Sequence, residues 1–405
     1  MAVTGSAPGR APSDAERAQG DGSSGRAGGD RPHAAWIRLS DEGVVRIDSD
    51  EAAAQAGRYG AAVLDPWETA AAERMKRADP GMLLLCRKSI AVVDRSQPGP
   101  LHSTGVSYDQ AVRSSGWFAL DRSGERITWA QHPGQWQMRV WDPEYRRAWS
   151  ETVARELDGS PFDGVLAVED ADESHALDRP FPDLGSRSQQ RDAHDALVAE
   201  AGEALRQVDR ILVAEISDAR HAPARWTDLS QWGGVYEPNW MCTASERMLD
   251  SGSARQQAQR ISHDPVNGLP EGREALVRMP VTPRLLGQEQ VDEPGAQRLV
   301  RYGLAAFWVF GGGRGLFTAG SPDGSRSHWV PEMQWNLGEP LGPPESVANM
   351  WSRGFAGGWV VVNLASDGRR RRHVRIPGDL LTHDGHSPPE QVVLGAHQGL
   401  ILRRA

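Results

Sequence analysis

Residues 161–172 read PFDGVLAVEDAD, an apolar run that ends abruptly in acidic side chains. Four residues suited to a buried strand, VLAV, are followed directly by Glu169 and Asp170, with Asp172 two positions further on. A continuous apolar run of this length, bounded by turn residues, is typical of a strand covered on both faces. The stretch therefore predicts a strand of a parallel sheet whose carboxyl end carries carboxylates.

Apolar runs of strand length alternate with helical stretches through most of the chain. The eight predicted strands cover residues 35–39, 61–65, 82–88, 164–170, 211–216, 233–237, 275–281 and 315–319. The predicted helices cover residues 67–78, 143–157, 188–208, 243–262 and 295–310. This alternation predicts an α/β fold with a parallel sheet covered by helices, and eight such units predict a closed (β/α)8 TIM barrel.

An open doubly wound sheet is the competing architecture. It usually carries a glycine-rich phosphate loop after an early strand. The glycine-rich segment GGGRG at 311–315 instead follows a predicted helix and precedes a predicted strand. That context is typical of a helix C-cap and turn, so the sequence favours the closed barrel.

The two ends of the chain differ in composition from its middle. Residues 1–33 contain almost no large apolar side chain and are predicted to be disordered, because they cannot bury enough surface to offset chain entropy. After Pro343 and Pro344 the pattern predicts a short helix near 345–353 and then a small antiparallel β-sandwich. The strands of that sandwich are predicted at 358–364, 372–376, 391–394 and 399–403. The predicted organisation is a disordered segment 1–33, a barrel domain 34–343 and a sandwich domain 344–405.

Composition and charge limit the classes of partner. The net charge of −9 argues against a nucleic-acid partner, and fifteen tryptophans favour a carbohydrate ligand, because indole faces stack on sugar rings. Cys86 and Cys242 lie in no metal-binding spacing, so no metal and no disulfide framework is predicted. No apolar run has the length of a membrane span and no secretory signal is visible, so the prediction is a cytoplasmic protein without a membrane partner. The oligomeric state is left open.

The carboxyl ends of the predicted strands carry the candidate site, because working residues of a parallel barrel lie there. These ends carry Asp65 and Trp67, Arg87 and Lys88, Glu169 and Asp170, Glu215, and Glu237 and Trp240. Two carboxyl groups, one protonated and one ionised, are what glycoside hydrolysis requires. A rim of acids paired with arginine is the structural alternative.

Aromatic and basic residues suggest how a sugar would be held. Trp67, Trp232 and Trp240 are predicted to stack on sugar rings. Asp65, Arg87 and Lys88 are predicted to hydrogen-bond hydroxyl groups or a substrate carboxylate.

Several motifs resemble those of barrel glycoside hydrolases of the α-galactosidase-like superfamily. WDPEY at 141–145 and FDGV at 162–165 resemble its helix opening and the strand that follows. GGVYEPNW at 233–240 and LGEPLG at 337–342 resemble segments of a family of bacterial glycosyl hydrolases most of whose members are uncharacterised. The last strands, GWVVVNLAS and QGLILRR, resemble the β-sandwich appended to such barrels, and the likeness covers roughly residues 34–405.

This resemblance implies a retaining glycosidase that acts on a carbohydrate substrate without a cofactor. It implies a nucleophile at the end of the fourth strand, Glu169 or Asp170, and an acid/base at the end of the sixth, Glu237. The superfamily's acid falls at the position of Val168, and Asp170 is favoured because it shares the phase of Val168 along the strand. Glu215 is the alternative acid, since amylase-like barrels carry theirs on the fifth strand.

Two rival functions remain open at this point. One is a catalytically inactive barrel that binds carbohydrate. The other is a transglycosidase, which would transfer the sugar to an acceptor other than water.

Overall fold

The computed structural model describes most of the chain from residue 32 onward. The described ranges are 32–39, 46–97, 101–129, 134–169, 181–183, 186–217, 219–221, 223–261, 269–270, 273–347, 349–366 and 371–405. The predicted disorder of residues 1–33 therefore lies outside the described residues, except for the last two positions. Residues 31–405 form one compact unit.

Eight parallel strands form the barrel. They are β1 (Ala35–Arg38), β2 (Ala61–Leu64), β3 (Leu83–Ser89), β4 (Gly164–Val168), β5 (Ile211–Glu215), β6 (Gly233–Glu237), β7 (Glu274–Pro280) and β8 (Leu316–Gly320). Each strand pairs in parallel with the next, and a bridge between Ala34 and Phe317 joins the first strand to the last. The predicted TIM barrel is confirmed, with every predicted strand in place.

Nine α-helices lie among the described residues. They are α1 (Ser49–Gln55), α2 (Thr69–Ala78), α3 (Tyr108–Arg113), α4 (Pro143–Leu157), α5 (Arg187–Gln207), α6 (Pro223–Ser230), α7 (Ser251–Arg260), α8 (Pro283–Leu286) and α9 (Glu293–Gly311). Helix α4 begins as its sequence predicts, because Asp142 caps it and Pro143 needs no N–H partner in the first turn. Helix α9 ends at Gly312, whose φ of 63° suits the predicted C-cap. None of the described helices is long and apolar enough to span a membrane.

Side chains alternate between the two faces of each strand. The position of a residue along the strand therefore decides whether its side chain faces the barrel interior or the surrounding helices. Apolar side chains on the inner face form one cluster that includes Leu83, Leu85, Leu166, Val213 and Tyr236. Their neighbours of opposite parity, including Leu84, Cys86, Val165 and Leu212, belong to the larger core between strands and helices. Arg87 and Glu215 therefore continue the inner row, whereas Lys88 and Glu237 continue the outer row.

The C-terminal part is built from antiparallel strands. They are β9 (Glu345–Val347), β10 (Met350–Phe355), β11 (Gly358–Asn363), β12 (Arg372–Arg375), β13 (Leu380–Leu381), β14 (Gln391–Leu394) and β15 (Gln398–Arg404). One sheet has the order β9-β10-β11-β15-β13, and β12 pairs with β14 in a second sheet. The prediction of a helix near 345–353 is wrong. Val347 pairs with Met350 across a tight turn, where Asn349 has a φ of 70°, so this segment is a hairpin.

The five-stranded sheet packs on both of its faces. Val360, Val362 and Ile401 share a core with α9 and the barrel. Val361 on the opposite face contacts the second sheet in a cluster with Leu394. This arrangement agrees with the predicted antiparallel C-terminal part, while the division into domains at residue 343 stays a prediction.

Candidate active site

Polar side chains extend the inner rows of four strands at the carboxyl end of the barrel. Asp65 follows β2 and is almost completely buried, and Arg87 and Glu215 stand on β3 and β5. Arg278 stands on β7, two residues beyond the inner-facing Leu276. The mouth of the barrel thus collects acids and guanidinium groups on one surface.

Glu169 and Glu215 meet at the ends of the neighbouring strands β4 and β5. The backbone N–H of Glu169 donates to Oε2 of Glu215 at 3.4 Å, and the hydroxyl of Ser217 donates to Oε1 of Glu215 at 3.4 Å. The carboxylate of Glu169 accepts a hydrogen bond from the hydroxyl of Ser89, the last residue of β3. Three adjacent strands therefore join in one hydrogen-bonded group, Ser89–Glu169–Glu215.

The backbone of Glu169 adopts a conformation that a residue with a side chain rarely takes. Its φ is 73°, in the left-handed region, which costs about 1–3 kcal/mol and persists only where the surroundings enforce it. Strain of this kind clusters at active sites. Here the unusual conformation turns the amide of Glu169 toward Glu215.

Ser89 is fixed from behind by helix α4. The indole N–H of Trp149 donates to the carbonyl of Ser89 at 2.8 Å, and the hydroxyl of Tyr145 donates to the carbonyl of Ile90 at 2.8 Å. Burial raises the pKa of Tyr145 well above its usual value, and the negative charge of Glu169 raises it further. The phenol therefore stays a neutral donor, and the two hydrogen bonds hold the backbone behind the acids to helix α4.

Glu237 is held by backbone groups of two loops. Its Oε2 accepts from the N–H of Ala219 at 3.0 Å, and its Oε1 accepts from the N–H of Asn239 at 3.0 Å. The side chain is 1 % exposed. Burial raises the pKa of the Cys242 thiol, and the charge of Glu237 adds to that effect. Glu237 thus ties the loops after β5 and β6 together from the outer row.

Three of the predicted substrate-binding residues lie away from the acids. Lys88 is fully buried against α4, where Nζ pairs with Glu156 and donates to the carbonyl of His102 at 2.6 Å. Trp240 is fully buried and donates to the carbonyl of Gly303 in α9. Trp232 precedes β6, at the opposite end of the barrel, and packs on Gly202 of α5.

Of the other predicted site residues, four lie at the barrel mouth. Asp65, Arg87, Glu169 and Glu215 come together at the mouth. Trp67 lies just after β2 and is 8 % exposed, and its carbonyl accepts a hydrogen bond from Arg46. Asp170 lies outside the described residues.

Sequence reasoning missed a buried acid beside Asp65. Glu68 is 3 % exposed, and its Oε2 accepts from the N–H of Ile47 at 3.2 Å. Burial raises the pKa of Glu68 above its usual value, and the neighbouring charge of Asp65 also raises it. Glu68 is the last residue of the motif LDPWE at 64–68, but the sequence gives no reason to expect it to be buried, because an acid at the start of a helix is more often a surface residue.

The eight-stranded barrel, with carboxylates at its carboxyl end, is a fold that many glycosidases share, and the family match identifies the chain as a glycosidase. Residues 86–359, more than half of the chain, match hypothetical glycosyl hydrolase family 15. The chain belongs to this family, and a carbohydrate substrate follows from that membership. No curated protein matches the sequence.

Solved structures share the barrel at very low sequence identity. An α-amylase from Lactobacillus plantarum is 11 % identical with a TM-score of 0.50, over 92 % of this chain and 99 % of that chain. A cyclomaltodextrinase is 10 % identical with a TM-score of 0.50, over 93 % of this chain and 78 % of that chain. A GH36 α-galactosidase from Geobacillus stearothermophilus is 10 % identical with a TM-score of 0.47, over 92 % and 55 %. At such identities the likeness shows the fold alone.

Proposed function

We propose that this protein hydrolyses a glycosidic bond by a two-carboxylate, retaining mechanism. Glu215 would protonate the leaving oxygen and then activate water, and an acid at the end of β4 would attack the anomeric carbon. The observation that carries the proposal is the contact of 3.4 Å between the amide of Glu169 and Oε2 of Glu215. It joins the backbone at the end of β4 to the inner-row carboxylate at the end of β5.

Glu215 suits the acid/base role better than Glu237 does. Glu215 continues the inner row of β5, whereas each oxygen of Glu237 accepts a backbone N–H. Glu215 also accepts a backbone N–H, from Glu169, so it is the position of its side chain in the inner row that separates the two glutamates. We therefore assign Glu237 the role of a loop anchor, a revision of the role expected from the sequence.

Glu169 is the nucleophile that the described contacts favour. Its carboxylate accepts from the Ser89 hydroxyl, a donor on the inner row of β3, and this bond stabilises the ionised form that attacks. Asp170, favoured by the sequence pattern, is the alternative nucleophile.

The test compares four single variants on aryl glycosides with good and poor leaving groups. They are Glu215→Gln, Glu169→Gln, Asp170→Asn and Glu237→Gln, with the exposed Glu73→Gln of α2 as the matched control. Loss of the acid lowers kcat by about 10²–10⁴-fold on poor leaving groups and much less on good ones. Loss of the nucleophile lowers the rate on both kinds of substrate.

Two experimental outcomes would contradict these assignments of the acid/base and the nucleophile. If Glu237→Gln shows the dependence on leaving group and Glu215→Gln does not, the acid/base is Glu237. If NMR of the first-formed product shows the opposite anomer from the substrate, the enzyme inverts and no strand-4 acid is a nucleophile. Thermal unfolding of each variant separates loss of chemistry from loss of the fold.

A further inference from the structure

Arg87 faces the barrel mouth from the middle of one wall. It follows Leu83 and Leu85 in the inner row of β3 and pairs in register with the inner-facing Leu166 of β4. Asp65 lies beside it, because Leu64 pairs with Cys86 on the neighbouring strand. Arg87 as a whole residue is partly buried. It therefore lies on the same surface as the proposed catalytic acids.

Arg87 differs from the other guanidinium groups around the mouth. Arg278 donates to the carbonyls of Pro238 and Pro322 at 3.2 and 2.7 Å, and Arg46 donates to the carbonyl of Trp67. Arg87 makes no side-chain hydrogen bond and no ion pair with any residue in the described part of the chain. No described residue therefore accepts a hydrogen bond from the five N–H donors of the Arg87 guanidinium.

A partly buried arginine without a partner is costly unless a ligand supplies one. Arginine keeps its proton at every accessible pH, so the charge cannot be avoided by deprotonation. A sugar hydroxyl would satisfy one donor but leave the charge uncompensated. A carboxylate compensates the charge and accepts two parallel N–H bonds from the planar fork, which is the geometry that arginine favours.

We propose that Arg87 binds a carboxylate of the substrate, so that the enzyme acts on a glycan that contains a hexuronic acid. This inference rests on the proposed function for the position of the cleft and names its substrate class. Asp65, beside Arg87 at the end of the neighbouring strand, would then contact a hydroxyl group of the same sugar.

The test measures binding with acid and ester forms of the same sugar. Oligosaccharides of glucuronic and galacturonic acid, in α- and β-linkage, and their methyl esters are titrated calorimetrically into the Glu215→Gln variant and the unmodified protein. Methyl esterification removes only the charge and leaves the ring and linkage intact. At least one acid form is expected to bind roughly tenfold or more tightly than its ester.

Three variants assign that preference to Arg87. Arg87→Gln is expected to bind the acid and the ester equally, and Arg87→Lys to keep part of the preference, since it retains the charge without the fork. Arg122→Gln makes the same charge change at an exposed turn and is expected to leave the preference intact. Thermal unfolding of Arg87→Gln confirms that the variant is folded.

Several outcomes would overturn the inference. These are equal binding of acid and ester by the unmodified protein, no binding by any uronate, and a preference that survives in Arg87→Gln. Binding of a 6-sulfated sugar alone would overturn the carboxylate assignment in favour of a sulfate ester. Hydrolysis products in the Glu215→Gln titrations would instead show that the catalytic assignment has failed, while the ratio of acid to ester binding still tests Arg87.

Discussion

The inner and outer faces of the barrel wall at β3 and β4 hold charge in opposite ways. On the outer face Lys88 pairs with Glu156 of α4, and Lys76 of α2 pairs with Asp163 at 2.6 Å. On the inner face Arg87 has no ion-pair partner among the described residues. Charges behind the wall are neutralised by one another, whereas no described residue neutralises the guanidinium at the mouth, which is where the proposed substrate carboxylate would bind.

The difference between adjacent residues shows what each face does. Arg87 and Lys88 are consecutive, both basic and both at the end of β3, yet one faces the cleft and the other a helix. A buried pair such as Lys88–Glu156 holds helix and strand in one arrangement, and removal of one partner leaves a buried charge. Substitutions on each side of the wall should therefore have different effects, on stability behind the wall and on the site at the mouth.

The largest effect is expected behind the wall. Lys88→Met leaves Glu156 charged and almost buried, with 13 % of its side chain exposed, so the free energy of unfolding should fall by about 3–5 kcal/mol. Urea denaturation measures the loss. The Lys88→Met, Glu156→Leu double variant removes both charges and should recover much of it.

The matched control for that prediction is the more exposed pair on α2. The side chains of Lys76 and Asp163 are 22 % and 32 % exposed, so Lys76→Met should cost clearly less than Lys88→Met. Equal losses of unfolding free energy for the two lysine variants would contradict this prediction. They would show that the deeper burial of the Lys88–Glu156 pair does not make it contribute more to stability.

A smaller effect is expected at the strained residue of the inner face. Because φ of Glu169 is 73°, Glu169→Gly should be more stable than Glu169→Ala by about 1 kcal/mol. Both variants lose the carboxylate, so both should lose activity if Glu169 is the nucleophile. Chemical denaturation ranks them, with Glu169→Gln as the reference that keeps the side-chain size. Greater stability of the alanine variant would show that the positive φ is not enforced.

The smallest effect is a pH dependence at Glu68. Since the pKa of this carboxyl is raised in the folded protein, its protonated form is favoured there, and native stability is lost as the pH rises from 4.5 through the raised pKa. Glu68→Gln removes that dependence, so the variant should gain stability relative to the native protein as the pH rises. Urea denaturation from pH 4 to pH 8 measures the difference. A constant difference across this range would contradict the prediction.

The barrel was predictable because each strand is an uninterrupted apolar run between helices. The same property hid the orientation of the strand ends. In LLLCRK the residues of both parities are apolar, so the pattern could not show that Arg87 faces inward and Lys88 outward. The hairpin at 345–355 escaped prediction because its strands are short and its turn depends on Asn349.

The candidate site was predictable at the level of strand ends but not of contacts. The acids of the fourth and fifth strands were found because each follows a strand directly. Trp232 was misplaced although the predicted strand 233–237 already puts it directly before the strand, at the end of the barrel opposite the mouth. The two backbone bonds that occupy Glu237 depend on Ala219 and Asn239, in loops whose paths the sequence does not specify.

Helix α9 is enclosed by the strands of the barrel on one side and by the C-terminal sheet on the other, and most of its residues are buried. Strand β15 comes so close that a methyl group on Gly399 would lie 2.5 Å from the Cβ of Ala305. A gene fusion that replaced the C-terminal strands would therefore need a surface shaped to this helix. Because the barrel and the sheet share this helix, a change in one of them requires a matching change in the packing of the other.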